Sequence, residues 1–202
     1  MITNIFNFDE MTNFTERQKQ IIQASLDLIA TSGIHGLTIK NISKDVGISE
    51  PAIYRHFASK TDILFGIISK IKESLSVDLA ISADETKRTI DIIREGFMNR
   101  AKRFTNNPSI AAVIFSEEIF EDNIQLSDAI RTIMEESQMK MIKIIQRGQS
   151  KNDIIGSIEA EELSLMIIGS FRLLVTNWHM SKNSFDLEDR TVKLINAFKQ
   201  LI

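Results

Sequence analysis

The chain has no cysteine, which removes disulfide frameworks, thiol nucleophiles and Cys-ligated zinc together and fits a reducing compartment. It has only 2 prolines and 8 glycines in 202 residues, too little turn chemistry for a many-stranded sandwich or barrel. It also lacks a net basic charge. The 24 Lys and Arg stand against 27 Asp and Glu, and the formal −3 excludes a uniformly basic chromatin coat and a disordered polyelectrolyte. Any basic partner surface must be local. Long hydrophobic runs are missing too: the most apolar stretch, Leu163 to Val175, is broken by Ser164, Gly169, Ser170 and Arg172 and falls short of the roughly 18 residues of a spanning helix. Met1 to Phe14 carries Asp9 and Glu10 and no positively charged start, so it reads as a loose arm rather than a secretory signal. A cytoplasmic protein with no membrane partner is expected. The 3 histidines lie far apart without metal-ligand spacing, and no phosphate loop, nucleophile elbow or dinucleotide fingerprint is present. No metal, no cofactor and no enzymatic activity are expected.

What the sequence does contain is helical periodicity, with 43% hydrophobic residues to build a core. Thr15 and Glu16 start a helix whose Ile22, Leu26, Ile29 and Ala30 recur at three- and four-residue spacing until Gly33 closes it. Thr38 caps a short second helix carrying Ile39, Ile42 and Val46, which ends at Gly47 because a left-handed position costs glycine little. Ser49 caps a third, with Glu50 and Pro51 in its first turn and Ile53 and Phe57 as an inward-facing pair. Ser59 opens a fourth, a connector from Lys60 to about Leu79 with an apolar stripe from Ile63 to Leu75. Further helices are predicted over about residues 85–106, 109–120, 123–149, 159–181 and 186–201. The expected fold is all-α with about nine helices. A flexible arm (1–14) precedes a three-helix head (15–60) and a helical second domain (61–202).

Residues 38–57, TIKNISKDVGISEPAIYRHF, have the anatomy of a helix-turn-helix, in which one short helix holds another at the angle that enters a DNA major groove. With Ile53 and Phe57 turned inward, helical geometry sends Pro51, Ala52 and Arg55 outward and Tyr54 and His56 to the flanks. Arg55 suits guanine or phosphate, Ala52 a thymine methyl, and Tyr54 and His56 phosphate oxygens. Thr38, Lys40, Ser49 and Lys60, at or near helix starts, complete the set expected on double-stranded DNA. Between Thr15 and Lys60, six basic residues face four acidic ones, so the head is locally positive on an acidic chain.

The run FTERQKQIIQASLDLIATSGIHGLTIKNISKDVGISEPAIYRHFASKTDIL, Phe14 to Leu64, resembles the TetR family of bacterial transcriptional regulators. The resemblance rests on the capped first helix, Gly33 and Gly36, Thr38, the Gly47 turn, the Tyr54-Arg55-His56-Phe57 close and Lys60. Over residues 65–202 only length and helical patterning match. It implies a homodimer that represses transcription, or occasionally activates it, and leaves its operator when a small ligand enters the second domain. Three residues depart from the family pattern. Ser43 stands where Ala is common, and Glu50 and Pro51 where a basic residue and Gly are commoner. Glu50 repels phosphate yet can accept from a cytosine N4.

In the second domain Phe97, Phe104, Phe115, Phe120, Met134, Met141 and Trp178 are candidates for lining an apolar or amphipathic effector site, each with plain core as the alternative. Arg172 suits an interface, a paired carboxylate or an effector anion. His35 reads as a loop residue and His179 as a polar edge of the core. The segment around residues 159–181 is apolar nearly all round and must bury two sides. Leu163, Met166, Ile167, Ser170 and Leu174, with Val192, Ile195 and Phe198 of the last helix, are expected on a four-helix seam between two copies. Two heads would then read a near-palindromic operator with half-sites about one helical turn or slightly more apart. Two other readings stand beside this one. One is a nucleoid-associated or cell-division DNA binder without a small-molecule switch, favoured by a filled second domain. The other is a helical enzyme or carrier, disfavoured by the lack of paired catalytic groups.

Overall fold

The computed structural model describes residues 14–80, 86–114 and 123–201. Nine helices and no strand occupy the described residues: α1 (Glu16–Gly36), α2 (Ile39–Val46), α3 (Glu50–Tyr54), α4 (Lys60–Ala80), α5 (Thr89–Asn106), α6 (Pro108–Ile114), α7 (Ile124–Ser150), α8 (Ala160–Met180) and α9 (Leu187–Leu201). Of the expected arm, residues 1–13 lie outside the described residues.

Local chemistry explains the boundaries. The Thr15 hydroxyl accepts from the Gln18 N–H, and the Gln18 side chain accepts from the Thr15 N–H, a reciprocal capping box that opens α1. Gly33, at φ 67°, kinks the last turn. Thr38 caps α2 by accepting from the Asn41 N–H at 3.1 Å. Gly47 is left-handed at φ 71°, and its N–H and that of Ile48 both donate to the Ser43 carbonyl, closing the helix. Ser43 is buried but satisfied, its hydroxyl donating to the Lys40 carbonyl at 2.9 Å. A hydroxyl is thereby accommodated where alanine is common.

Two expectations at α3 are corrected. Ser49 occupies the N-cap with extended backbone, but its side chain makes no capping bond. Pro51 has no N–H, and the Ala52 N–H donates to the Ser49 backbone carbonyl instead. The helix also stops at Tyr54 rather than continuing to Phe57: Arg55 is its C-cap, and the His56 N–H donates to the Ile53 carbonyl only three residues back, tightening the last turn.

Packing divides the chain into two units, one within residues 1–73 and 112–130, the other within 74–111 and 131–202. In the first, α2 packs against α1 and α3, and Ile21, Ile22, Leu26, Leu37, Ile42, Ile53 and Phe65 are fully buried. Each such aliphatic side chain contributes roughly 1.5–3 kcal/mol relative to exposure. In the second, α9 packs against α5 and α8, and Phe97 of α5 stacks on Phe171 of α8 with ring centroids 4.4 Å apart. A polar clamp joins α5 to the turn after α7. Asp153 accepts hydrogen bonds from the Thr89 N–H and hydroxyl at the start of α5. Burial pushes the Asp153 carboxyl up, but the Thr89 bonds and the Arg88 and Arg147 guanidinium groups outweigh it and hold the carboxyl below its ordinary range.

Candidate DNA interface

The recognition element is short and anchored at both ends. Ile53 is fully buried and Phe57 nearly so, and Phe14, just ahead of α1, brings its ring to 6.3 Å from that of Phe57. Gly66 of α4 sits where an added Cβ would lie 3.0 Å from Ile22 Cδ1 and 3.4 Å from Phe57 Cε1, so α4 runs against the anchor of the reading helix. With that face buried, the other is free. Glu50, Pro51, Tyr54 and Arg55 are exposed, Tyr54 by 52%, and Thr38, Lys40, Ser49 and Lys60 are exposed on the flanking helix starts. His56 is half-buried.

Ala52 is corrected. It is only 8% exposed and buried like its neighbour Ile53, since adjacent helical positions lie about 100° apart and a wide enough buried side takes in both. It does not present a methyl to thymine. Thr38 uses its oxygen as a cap, which leaves its hydroxyl hydrogen available to donate. The Gln18 contribution was not legible in advance: its amide Nε2 donates to the His56 carbonyl at 3.2 Å, 38 residues away in sequence, and only the fold brings them together.

In the second unit Phe97, Phe104, Met141 and Trp178 are buried, while Met134 is 37% exposed. Phe115 and Phe120 lie outside the described residues. Trp178 also borders an open cleft of about 440 Å³ with Thr105, Pro108, Phe185, Asp186 and Glu188, which none of the other described effector candidates lines. Leu163, Ile167, Ile195 and Phe198, expected on a seam between copies, are buried within the chain itself. They lie on the faces of α8 and α9 turned toward each other and toward α5. On the opposite face of α8, Leu165 and Leu173 are more than 60% exposed and Met166 about half, with Ser170 and Leu174 half-buried. Val192 on α9 is half-buried. Among the described residues no His, Asp and Glu cluster of metal-binding size occurs, and no helix is long and apolar enough to cross a membrane.

A glycine-turned helix pair, with one face locked into a core and the other presenting a tyrosine, an arginine and a lysine, defines a helix-turn-helix DNA-binding protein. Residues 21–67 match the bacterial regulatory proteins of the tetR family, and residues 88–202 match the C-terminal region of MAATS-type transcriptional repressors. The chain belongs to the TetR family of transcriptional regulators. It is 28% identical over 157 residues to the nucleoid occlusion factor SlmA of Vibrio campbellii, covering 77% of this chain and 80% of that protein. It is 31% identical over 144 residues to SlmA of Shewanella sp. strain MR-4, covering 67% and 72%. Among solved structures, the fatty acid degradation regulator FadR of Bacillus halodurans superposes with a TM-score of 0.78 at 21% identity, covering 91% of this chain and 95% of that one. FadR of Bacillus subtilis, in complex with stearoyl-CoA, gives 0.74 at 23% identity, covering 88% and 95%.

Proposed function

We propose that this protein is a homodimeric, ligand-responsive transcriptional repressor that binds a near-palindromic operator in the cytoplasm and leaves it when an apolar or amphipathic effector binds its second domain. The observation that carries the DNA part is the division of α3: Ile53 buried, Pro51, Tyr54 and Arg55 exposed, with Lys60 at the start of α4. Arg55 reads bases or clamps phosphate; Tyr54, Thr38, Lys40, Ser49, His56 and Lys60 position the head on the backbone. Leu165, Met166 and Leu173, with Ser170, Leu174 and Val192, form the apolar surface that a second copy covers. The domain organisation in this reading is a head ending near Lys60 and a helical body from residue 61 carrying effector and dimer contacts, although by packing the start of α4 groups with the head. Effector binding acts through α4, which starts at Lys60 and carries Gly66 against Phe57, so a tilt of this helix changes where Tyr54 and Lys60 meet phosphate.

The effector class is suggested by the FadR fold captured with stearoyl-CoA and by the aromatic interior around Phe97, Phe104, Met141 and Trp178. A second reading, a nucleoid-associated DNA binder without a small-molecule switch, is favoured by the SlmA relatives and by the closely stacked Phe97–Phe171 pair. Genomic fragments bound by the purified protein, sequenced with and without a series of acyl-CoA thioesters, separate the two. Release of a few promoter sites by one thioester supports the repressor. Many dispersed sites indifferent to all of them support the second reading, and no preference among duplexes overturns both.

A further inference from the structure

We propose that Glu50 is a base-reading residue that accepts a hydrogen bond from the N4 amino group of a cytosine in each operator half-site, an inference that rests on the operator-binding reading above. The argument starts from scarcity. The α3 helix has only five residues, of which Ala52 and Ile53 are buried and Pro51 carries no polar side chain. Glu50 and Tyr54 are therefore the two α3 side chains with hydrogen-bonding groups open to solvent. Of these, Glu50 stands at the helix start, the end from which a helix-turn-helix contacts base edges in the major groove. Pro51 fixes the backbone directly after it.

Among the described residues the exposed Glu50 side chain takes part in no hydrogen bond or ion pair, so no described lysine or arginine of the head neutralises its charge before DNA arrives. A bare carboxylate beside phosphates opposes binding to every duplex equally. It stops opposing binding only where the groove offers it a donor. Thymine presents O4 and guanine presents N7 and O6, all acceptors that repel a carboxylate. Adenine offers N6–H₂ but sets the N7 acceptor beside it. Cytosine offers N4–H₂ alone. The same charge that weakens non-specific binding thereby becomes a selector for one base.

The test is selection of bound duplexes from a random pool by the full-length protein and by E50A and E50Q at one fixed salt concentration. Binding isotherms then combine each variant with a cytosine-to-thymine change in the selected half-site. The wild type should enrich cytosine at one symmetric pair of positions and lose about five- to a hundredfold in affinity when it becomes thymine. In E50A that discrimination should fall to within about twofold, while affinity for unrelated duplexes rises. E50Q keeps the shape of the side chain, guards against a folding artefact, and should move the preference toward adenine, which glutamine meets at both N6 and N7. A motif that E50A and E50Q select unchanged overturns the Glu50 assignment and leaves the operator reading standing. A wild type that selects no motif overturns that reading and this inference together.

Discussion

The side-chain amide of Gln18 donates to the backbone carbonyl of His56 at 3.2 Å while its oxygen accepts from the Thr15 N–H at 3.0 Å. One side chain therefore closes the start of α1 and holds the end of the reading element. The two roles use different atoms, so they can be separated by substitution.

Gln18→Glu keeps the oxygen that completes the capping box and removes the amide donor, whereas Gln18→Ala removes both. The alanine variant should lose about 1–2 kcal/mol of head stability, the glutamate variant much less. Both should bind operator severalfold more weakly, because the turn at Arg55 and His56 is no longer held. Circular-dichroism melts alongside DNA titrations check this, and a glutamate variant with wild-type DNA affinity would remove Gln18 from the interface.

Lys60 and Arg55 should fail in different ways. Lys60→Ala should weaken every duplex alike and reduce the slope of log affinity against log salt by about 0.9, the contribution of one phosphate contact. Arg55→Ala should also alter the selected sequence. Salt titrations on operator and unrelated DNA decide it; identical behaviour of the two variants would contradict these roles.

The Asp153 clamp predicts a pH dependence. Its carboxyl is held below its ordinary range when folded, so its stabilisation is complete above the ordinary carboxylate pKa of about 3.9 and is lost as pH falls through the lowered value. Asp153→Asn should unfold at lower urea concentration than wild type at pH 7, and the gap should narrow on acidification. Gly148 supplies a second probe of the same junction. A Cβ there would lie 2.3 Å from the Thr89 Oγ1, so Gly148→Ala should cost about 1–3 kcal/mol in the same urea series.

Dimer and core faces of α8 should separate cleanly. Leu173→Glu places a charge on an exposed face and should leave the fold intact while producing monomers in analytical ultracentrifugation. Leu163→Ala, at a buried position, should instead cost about 2–5 kcal/mol in unfolding experiments. A dimeric Leu173→Glu variant would move the seam elsewhere.

The order of helices, the Thr15, Thr38 and Ser59 starts, the Gly47 turn and the inward pair Ile53 and Phe57 were all legible in the sequence. Each is a local event, decided by a capping oxygen, a left-handed glycine or a spacing of three and four residues. The early end of α3, the unused Ser49 hydroxyl and the burial of Ala52 were not legible, since they depend on which carbonyl a neighbouring N–H reaches once Pro51 has withheld its own. Nor could periodicity say which of two apolar faces of α8 is core, because α5 and α9 make that choice from far along the chain. The Gln18 to His56 and Thr89 to Asp153 bonds belong to the same class, with partners 38 and 64 residues apart. Sequence by itself settled what short-range hydrogen bonding and amphipathic spacing settle; packing decided everything that needed a distant partner.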